Sequence, residues 1–195
     1  MGFYRCLPLA VLAFTLAAAD DPDGTTPLHW AVRGNDVDAV QRLLRAGANP
    51  DAANRYGVTP LSLAATNASA PLIQALLQAG AHPTGSILMT AARTGNPEIV
   101  RMLIARGADA NARESSLGET ALMWAAAENH PEAVRALIEH GADPNARSEK
   151  LTYAKDRFGL EGVTTILPRG SWTALMYAAR QGSLEAARAL ADAGA

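Results

Sequence analysis

The chain has 195 residues, 49% of them hydrophobic but only 5% aromatic, with a formal net charge of -2. A chain of this length makes one ordinary domain, and an alanine-heavy hydrophobic fraction suits many short, closely packed helices better than a sandwich or an enzyme core. The balance of charge carries no basic surplus that would point to nucleic acid, and a single cysteine, Cys6, allows no disulfide.

The first 19 residues read as a cleavable signal peptide. Arg5 supplies the positive start, CLPLAVLAFTL a short apolar run, and Ala17 to Ala19 the small residues required for cleavage before Asp20. The run is too short to span a bilayer comfortably; the alternatives are a buried N-terminal helix or an uncleaved anchor. Removing the leader removes Arg5 and leaves 16 basic against 19 acidic residues, a net charge of -3. Cys6 lies inside the leader and away from its cleavage end, so the mature chain has no thiol for a metal site or a nucleophile. The expected location is secreted or periplasmic, with no membrane span after cleavage.

From residue 24 onward the chain repeats itself. The units are TTPLHWAVRGNDVDAVQRLLRAGANP, VTPLSLAATNASAPLIQALLQAGAHP, SILMTAARTGNPEIVRMLIARGADAN, ETALMWAAAENHPEAVRALIEHGADPN and WTALMYAARQGSLEAARALADAGA. Each has a capping Thr or Ser: Thr26, Thr59, Ser86, Thr120 and Thr173. In each, a Gly-Ala pair begins 21 residues later, at Gly47, Gly80, Gly107, Gly141 and Gly194. The hydroxyl is expected to accept a bond from an unpaired N–H at a helix start, and Pro27 and Pro60 sit in the first turn, where no donor is lost. A short Ala-rich helix follows. A second helix carries apolar residues at helical spacing, as in Val40, Leu43 and Leu44 or Val100, Leu103 and Ile104. The glycine then ends it in a left-handed conformation, and stretches such as NPDAANRYG suit a tight turn. The sequon-like Asn67-Ala68-Ser69 matters only in a glycosylating host.

The capping residues are spaced 33, 27, 34 and 53 apart. All the irregularity lies between Gly-Ala and the next cap. The 27 step shortens that loop to HPTGS, and the 53 step inserts about 20 residues, 148–170. The insertion holds both lysines of the chain, Lys150 and Lys155. Tyr153, Phe158 and, at its end, Trp172 are three of the seven aromatics beyond the leader. VTTIL reads as a strand and FGLEG as a turn, so a lengthened hairpin or folded-over loop is expected. Packing of its apolar residues back onto the flanking units is the plain alternative. The last unit has Ala186 and Ala187 where the third has Ile99 and Val100. It is either a softened C-terminal cap or the edge of a longer array.

These units resemble ankyrin repeats. TPLHWA at 26–31 is the full motif; TPLSLA, SILMTA, TALMWA and TALMYA are degraded copies, and GADAN at 107–111 and GADPN at 141–145 match the family's loop. The resemblance, to proteins of the bacterial, secreted or periplasmic type, covers about 24–195. It implies an all-α solenoid of five helix-turn-helix units, at about 24–56, 57–83, 84–116, 117–147 and 171–195, with short β-hairpin fingers, one of them enlarged. It also implies that His29 is a structural hydrogen-bonding residue, and that binding uses the concave face of finger tips and first helices.

Carried over by position, the concave helix sites are Arg33, Thr66, Arg93–Thr94, Ala127–Glu128 and Arg180–Gln181. Arg33, Arg93 and Arg180 share one repeat position and form an intermittent column. Trp30, Trp124 and Tyr177 share another and are expected to be partly buried. The candidate partner-binding residues are Trp172, Arg180, Arg93, Arg33, Tyr56, Tyr153 and Phe158, because arginine and aromatics are enriched in binding hot spots; an ordinary solvated face is the alternative. His82, His130 and His140 fall at different repeat positions without metal-site spacing. No nucleophile elbow, phosphate loop or paired-carboxylate arrangement is present. No catalytic, cofactor or metal residue is therefore assigned. The expected function is a non-catalytic, monomeric scaffold for a protein partner. The alternatives are a structural segment of a longer array or multidomain protein, and a small-ligand binder or enzyme using the cleft beside the long finger.

Overall fold

The computed structural model describes residues 21–149 and 170–195. The expected leader, Tyr153, Phe158 and the VTTIL strand lie outside the described residues. Among the described residues ten helices run in consecutive pairs. They are α1 (Pro27–Arg33) and α2 (Val37–Arg45), α3 (Pro60–Thr66) and α4 (Ala70–Gln78), α5 (Gly85–Thr94) and α6 (Pro97–Ala105), α7 (Ala121–Ala127) and α8 (Pro131–Glu139), and α9 (Ala174–Gln181) and α10 (Leu184–Asp192). Each first helix packs on the next first helix and each second helix on the next second helix, giving two layers.

The two layers are built from different residues. First helices meet through small side chains such as Ala64, Ala65, Ala91, Ala92, Ala125 and Ala126, all fully buried, which lets their backbones approach. Second helices fill the space behind them with Leu72, Ile73 and Leu76, Ile99, Val100 and Leu103, and Val134 and Leu137, also fully buried. Each such Leu or Ile contributes about 1.5–3 kcal/mol of burial. In the last pair Ala186 and Leu190 are buried, but Met176 and Leu184 are 45% and 57% exposed, so its outer face is not uniformly polar.

The helix starts depart from one expectation. Thr59 accepts from the Ser62 N–H at 3.2 Å and Thr173 from the Met176 N–H at 3.4 Å. At Thr26 a ring takes over: the Thr26 N–H donates to His29 Nδ1 at 3.1 Å. In the third pair the cap is Thr84 rather than Ser86, because α5 begins two residues earlier, at Gly85. A Cβ on Gly85 would lie 2.1 Å from the Ala112 Cβ. The following loop closes over this helix start, and only glycine leaves it room.

The second helices end as expected. The glycines of the Gly-Ala pairs all lie at φ between 86° and 97°. A second left-handed position lies nine residues after Thr26, Thr59, Ser86, Thr120 and Thr173, in the turn between paired helices. It holds Asn35, Ala68, Gly95, Asn129 and Gly182, with φ from 51° to 80°. Asparagine and glycine tolerate this region; alanine does not. Ala68→Gly is therefore expected to stabilise the protein by about 0.5 to 1 kcal/mol, after subtracting the greater chain entropy of glycine. Urea denaturation measures it, and an unchanged or lower midpoint would contradict the strain.

Where β-hairpin fingers were expected, the described residues carry turns with no strand. In three of the four turns one side chain, seven residues after the glycine of Gly-Ala, organises the turn; the shortened loop after Gly80 has none. Asn54 Oδ1 accepts from the N–H groups of Tyr56 and Val58, each at 3.0 Å, and the Asn54 N–H donates to the Val58 carbonyl at 3.0 Å. Glu114 N–H donates to the Glu119 carbonyl in the same way at 3.0 Å. So few residues separate these pairs that a carboxamide or carboxylate replaces the ladder bonds of a hairpin. Ser148 holds the same position before the insertion. Its N–H donates to the Trp172 carbonyl at 3.0 Å, its carbonyl accepts from the Ser171 N–H at 3.0 Å, and its Oγ accepts from the Trp172 N–H at 3.1 Å. The chain closes from Ser148 to Trp172 at the register where Asn54 closes to Val58. The long stretch between them leaves the packing of α9 on α7 intact.

Candidate functional site

The groove between the first helices and the finger turns holds the described candidate residues. Arg33, Arg93 and Arg180 stand in α1, α5 and α9 and are all exposed. Each guanidinium lies over an aromatic ring: Arg33 over Trp30 at 5.5 Å, Arg93 over Trp124 at 5.9 Å and Arg180 over Trp172 at 5.0 Å from the ring centroid. Arg55 covers Tyr56 in the same manner at 4.7 Å, and Tyr56 is 65% exposed. Cation–π attraction of this kind is worth about 0.5–1 kcal/mol at exposed sites, enough to bias a long side chain toward one orientation.

Trp172 is partly buried. It meets Tyr177 edge to face, with centroids 5.4 Å apart. The Tyr177 hydroxyl donates to Glu119 Oε1 at 2.5 Å, and burial together with that carboxylate pushes the phenol up to about 12. Trp124 and Tyr177 are partly buried, as expected, whereas Trp30 is 51% exposed. No described helix precedes α1 to cover its indole, whose Nε1–H donates to Asp21 Oδ2 at 2.9 Å.

Three shallow clefts follow the arginines along the groove. A cleft of about 260 Å³ lies beside Trp30, Arg33 and Tyr56, one of about 190 Å³ beside Arg93, Glu114 and Trp124, and one of about 150 Å³ beside Glu119, Trp172, Tyr177 and Arg180. Glu114 was not singled out from the sequence. Partial burial would raise its pKa, but hydrogen bonds from the Ser116 hydroxyl and from the N–H groups of Ser116, Leu117 and Glu119 outweigh that and lower it to about 2. This carboxylate is spent on holding its own turn. Its one signal in the sequence is the position it shares with Asn54 and Ser148.

The histidines serve the scaffold. His29 is buried; its Nδ1 faces Thr26, so its Nε2–H donates to the Val58 carbonyl at 3.0 Å, joining the first pair to the second. His130 Nε2 bonds the Arg93 carbonyl at 3.0 Å, His140 Nδ1 the Ala136 carbonyl at 2.8 Å, and His82 Nδ1 lies 2.6 Å from Asp51 Oδ2. The sequon asparagine, Asn67, donates its amide to the Val32 carbonyl at 2.9 Å. Among the described residues no three His, Cys, Asp or Glu side chains converge on one point, and no helix there is long and apolar enough to cross a membrane.

Comparison with known proteins agrees with this architecture. The family model described as Ankyrin repeats (3 copies) matches residues 8–86 and 82–148, and that described as Ankyrin repeat matches 171–195. The first match starts inside the expected leader, and 149–170 falls between the matches. A stretch of 43 residues is 44% identical to palmitoyltransferase ZDHHC13 of Mus musculus, covering 22% of this chain and 7% of that protein.

Proposed function

Because this chain belongs to the ankyrin-repeat family, whose repeats are generally protein–protein interaction modules, we propose that it is a non-catalytic, monomeric scaffold that binds a protein partner through its groove. Each helix pair is read as one repeat unit, five in all, with the finger after the fourth enlarged by 148–170. The leader reading of 1–19 makes it a secreted or periplasmic protein. One observation carries the binding surface: three arginines at one repeat position, each held on an aromatic ring and facing the same groove. Such side chains have lost part of their freedom before a partner arrives, which lowers the ordering cost of association.

The mechanism is recognition by a preformed surface, with Tyr153 and Phe158 of the long finger as candidate additional anchors. The test is partner capture with Arg93→Ala and Arg180→Ala. Each is expected to weaken capture about tenfold while the unfolding midpoint stays within about 2 °C, because surface substitutions change stability little. Wild-type capture by both variants would remove the groove from consideration. Trp172→Ala is a poorer probe, because that ring also supports Tyr177.

Exposed Met176 and Leu184 favour one other reading, a structural segment of a longer array whose next unit covers them. A small-ligand or enzyme site beside the long finger has less support, since the cleft of about 150 Å³ there falls below the roughly 300–1,000 Å³ of ligand pockets.

A further inference from the structure

We infer that the groove takes an extended, acidic segment of the partner, with carboxylates spaced about five to six residues apart; this rests on the proposed binding role of the groove. On the second helices Arg101, Arg135 and Arg188 pair with Glu139, Glu132 and Glu185. Among the described residues Arg33, Arg93 and Arg180 neither pair with a carboxylate nor donate a hydrogen bond. Each guanidinium carbon lies 5.0 to 5.9 Å over an aromatic ring, and the N–H groups left without a partner are those that would bind a carboxylate through two parallel hydrogen bonds.

Four of the carboxylates near the groove are already engaged. Asp21 accepts from Trp30, Asp23 from the Thr25 N–H, Glu114 from its own turn and Glu119 from Tyr177. Against the three open arginines the groove keeps, among the described residues, two open carboxylates, Glu149 beside Arg180 and exposed Glu128, so the local balance favours an anionic ligand although the chain as a whole carries -2.

Spacing sets the class of ligand. The three arginines sit on alternate helix pairs; Thr66 and Ala127 hold the same position in the pairs between. Neighbouring helices pack about 8–10 Å apart, so successive arginines lie about 16–20 Å apart, a distance an extended chain covers in about five to six residues at about 3.3 Å each. Exposed Glu128, beside Ala127, disfavours a carboxylate at that intervening step. Nucleic acid presents charges far more densely than this, and its binding rests on neutralising many of them.

The test uses the full chain and labelled synthetic peptides in fluorescence anisotropy. One peptide carries three glutamates about six residues apart; a second has glutamine at those positions, and a third the same three glutamates clustered together. Binding of the first peptide, at least about tenfold tighter than that of the other two, supports the inference. Arg93→Gln should weaken it about tenfold, Arg93→Lys should restore only part because lysine lacks the fork, and Arg101→Gln should change nothing. Equal binding of all three peptides, or no binding of the first, overturns the acidic register. If Trp124→Ala still weakens such equal binding, the groove itself stands; if neither Arg93 nor Trp124 affects it, the groove reading falls as well.

Discussion

Replacing Leu88 by alanine is expected to lower stability by about 3 to 4 kcal/mol, the usual range for emptying a fully buried leucine site. Leu88 is 0% exposed and lies in α5, which packs on α3, α6 and α7. The cavity would lie where the halves of the stack join. In a repeat protein stability is close to a sum of units and neighbour interfaces, so this substitution weakens one unit and two interfaces together. Urea denaturation of the purified variant measures the loss. A change below about 1 kcal/mol would mean that the third pair contributes little to holding the stack together.

His29→Ala comes next, with an expected loss of about 2 to 3 kcal/mol. The side chain is 1% exposed and has partners on both ring nitrogens. Its removal leaves the part-buried Thr26 N–H without a partner, at a cost of about 1–3 kcal/mol, takes from the Val58 carbonyl one of its two donors while the Asn54 N–H remains, and empties a fully buried ring site. The effect should be local in origin: amide protons of α1 and α2 should exchange faster while those of α7 and α8 keep their protection. Uniform loss of protection along the chain would show that the first pair unfolds only with the rest. Leu88→Ala should instead raise exchange in pairs on both sides of α5.

The Arg–aromatic pairs show how much of the candidate site could be read in advance. Arg33, Arg93 and Arg180 could be aligned by counting from Thr26, Ser86 and Thr173, because repeat position fixes which face of a helix a residue occupies. Their ring partners could not all be found that way. Trp30 lies three residues before Arg33 on one helix, but Trp124 belongs to the pair after that of Arg93, and Trp172 to the loop preceding α9. The exposure of Trp30 was missed for a related reason: burial of its repeat position depends on a preceding helix, not on the residue itself. Tyr153 and Phe158 lie outside the described residues.

The sequence alone determined what depends on neighbours in the chain. The period, the paired short helices, the left-handed glycines and the position of the interruption all follow from caps, turn chemistry and helical spacing acting over a few residues. Tertiary structure decided what depends on how one unit rests on the next. It made Thr84 the cap of α5 and closed Ala112 over Gly85. It joined Ser148 to Trp172 across the insertion, and it gave Arg93 its ring from the following pair. These pairings arise only when the small-residue faces of the first helices bring separate units together, and no local pattern encodes that approach.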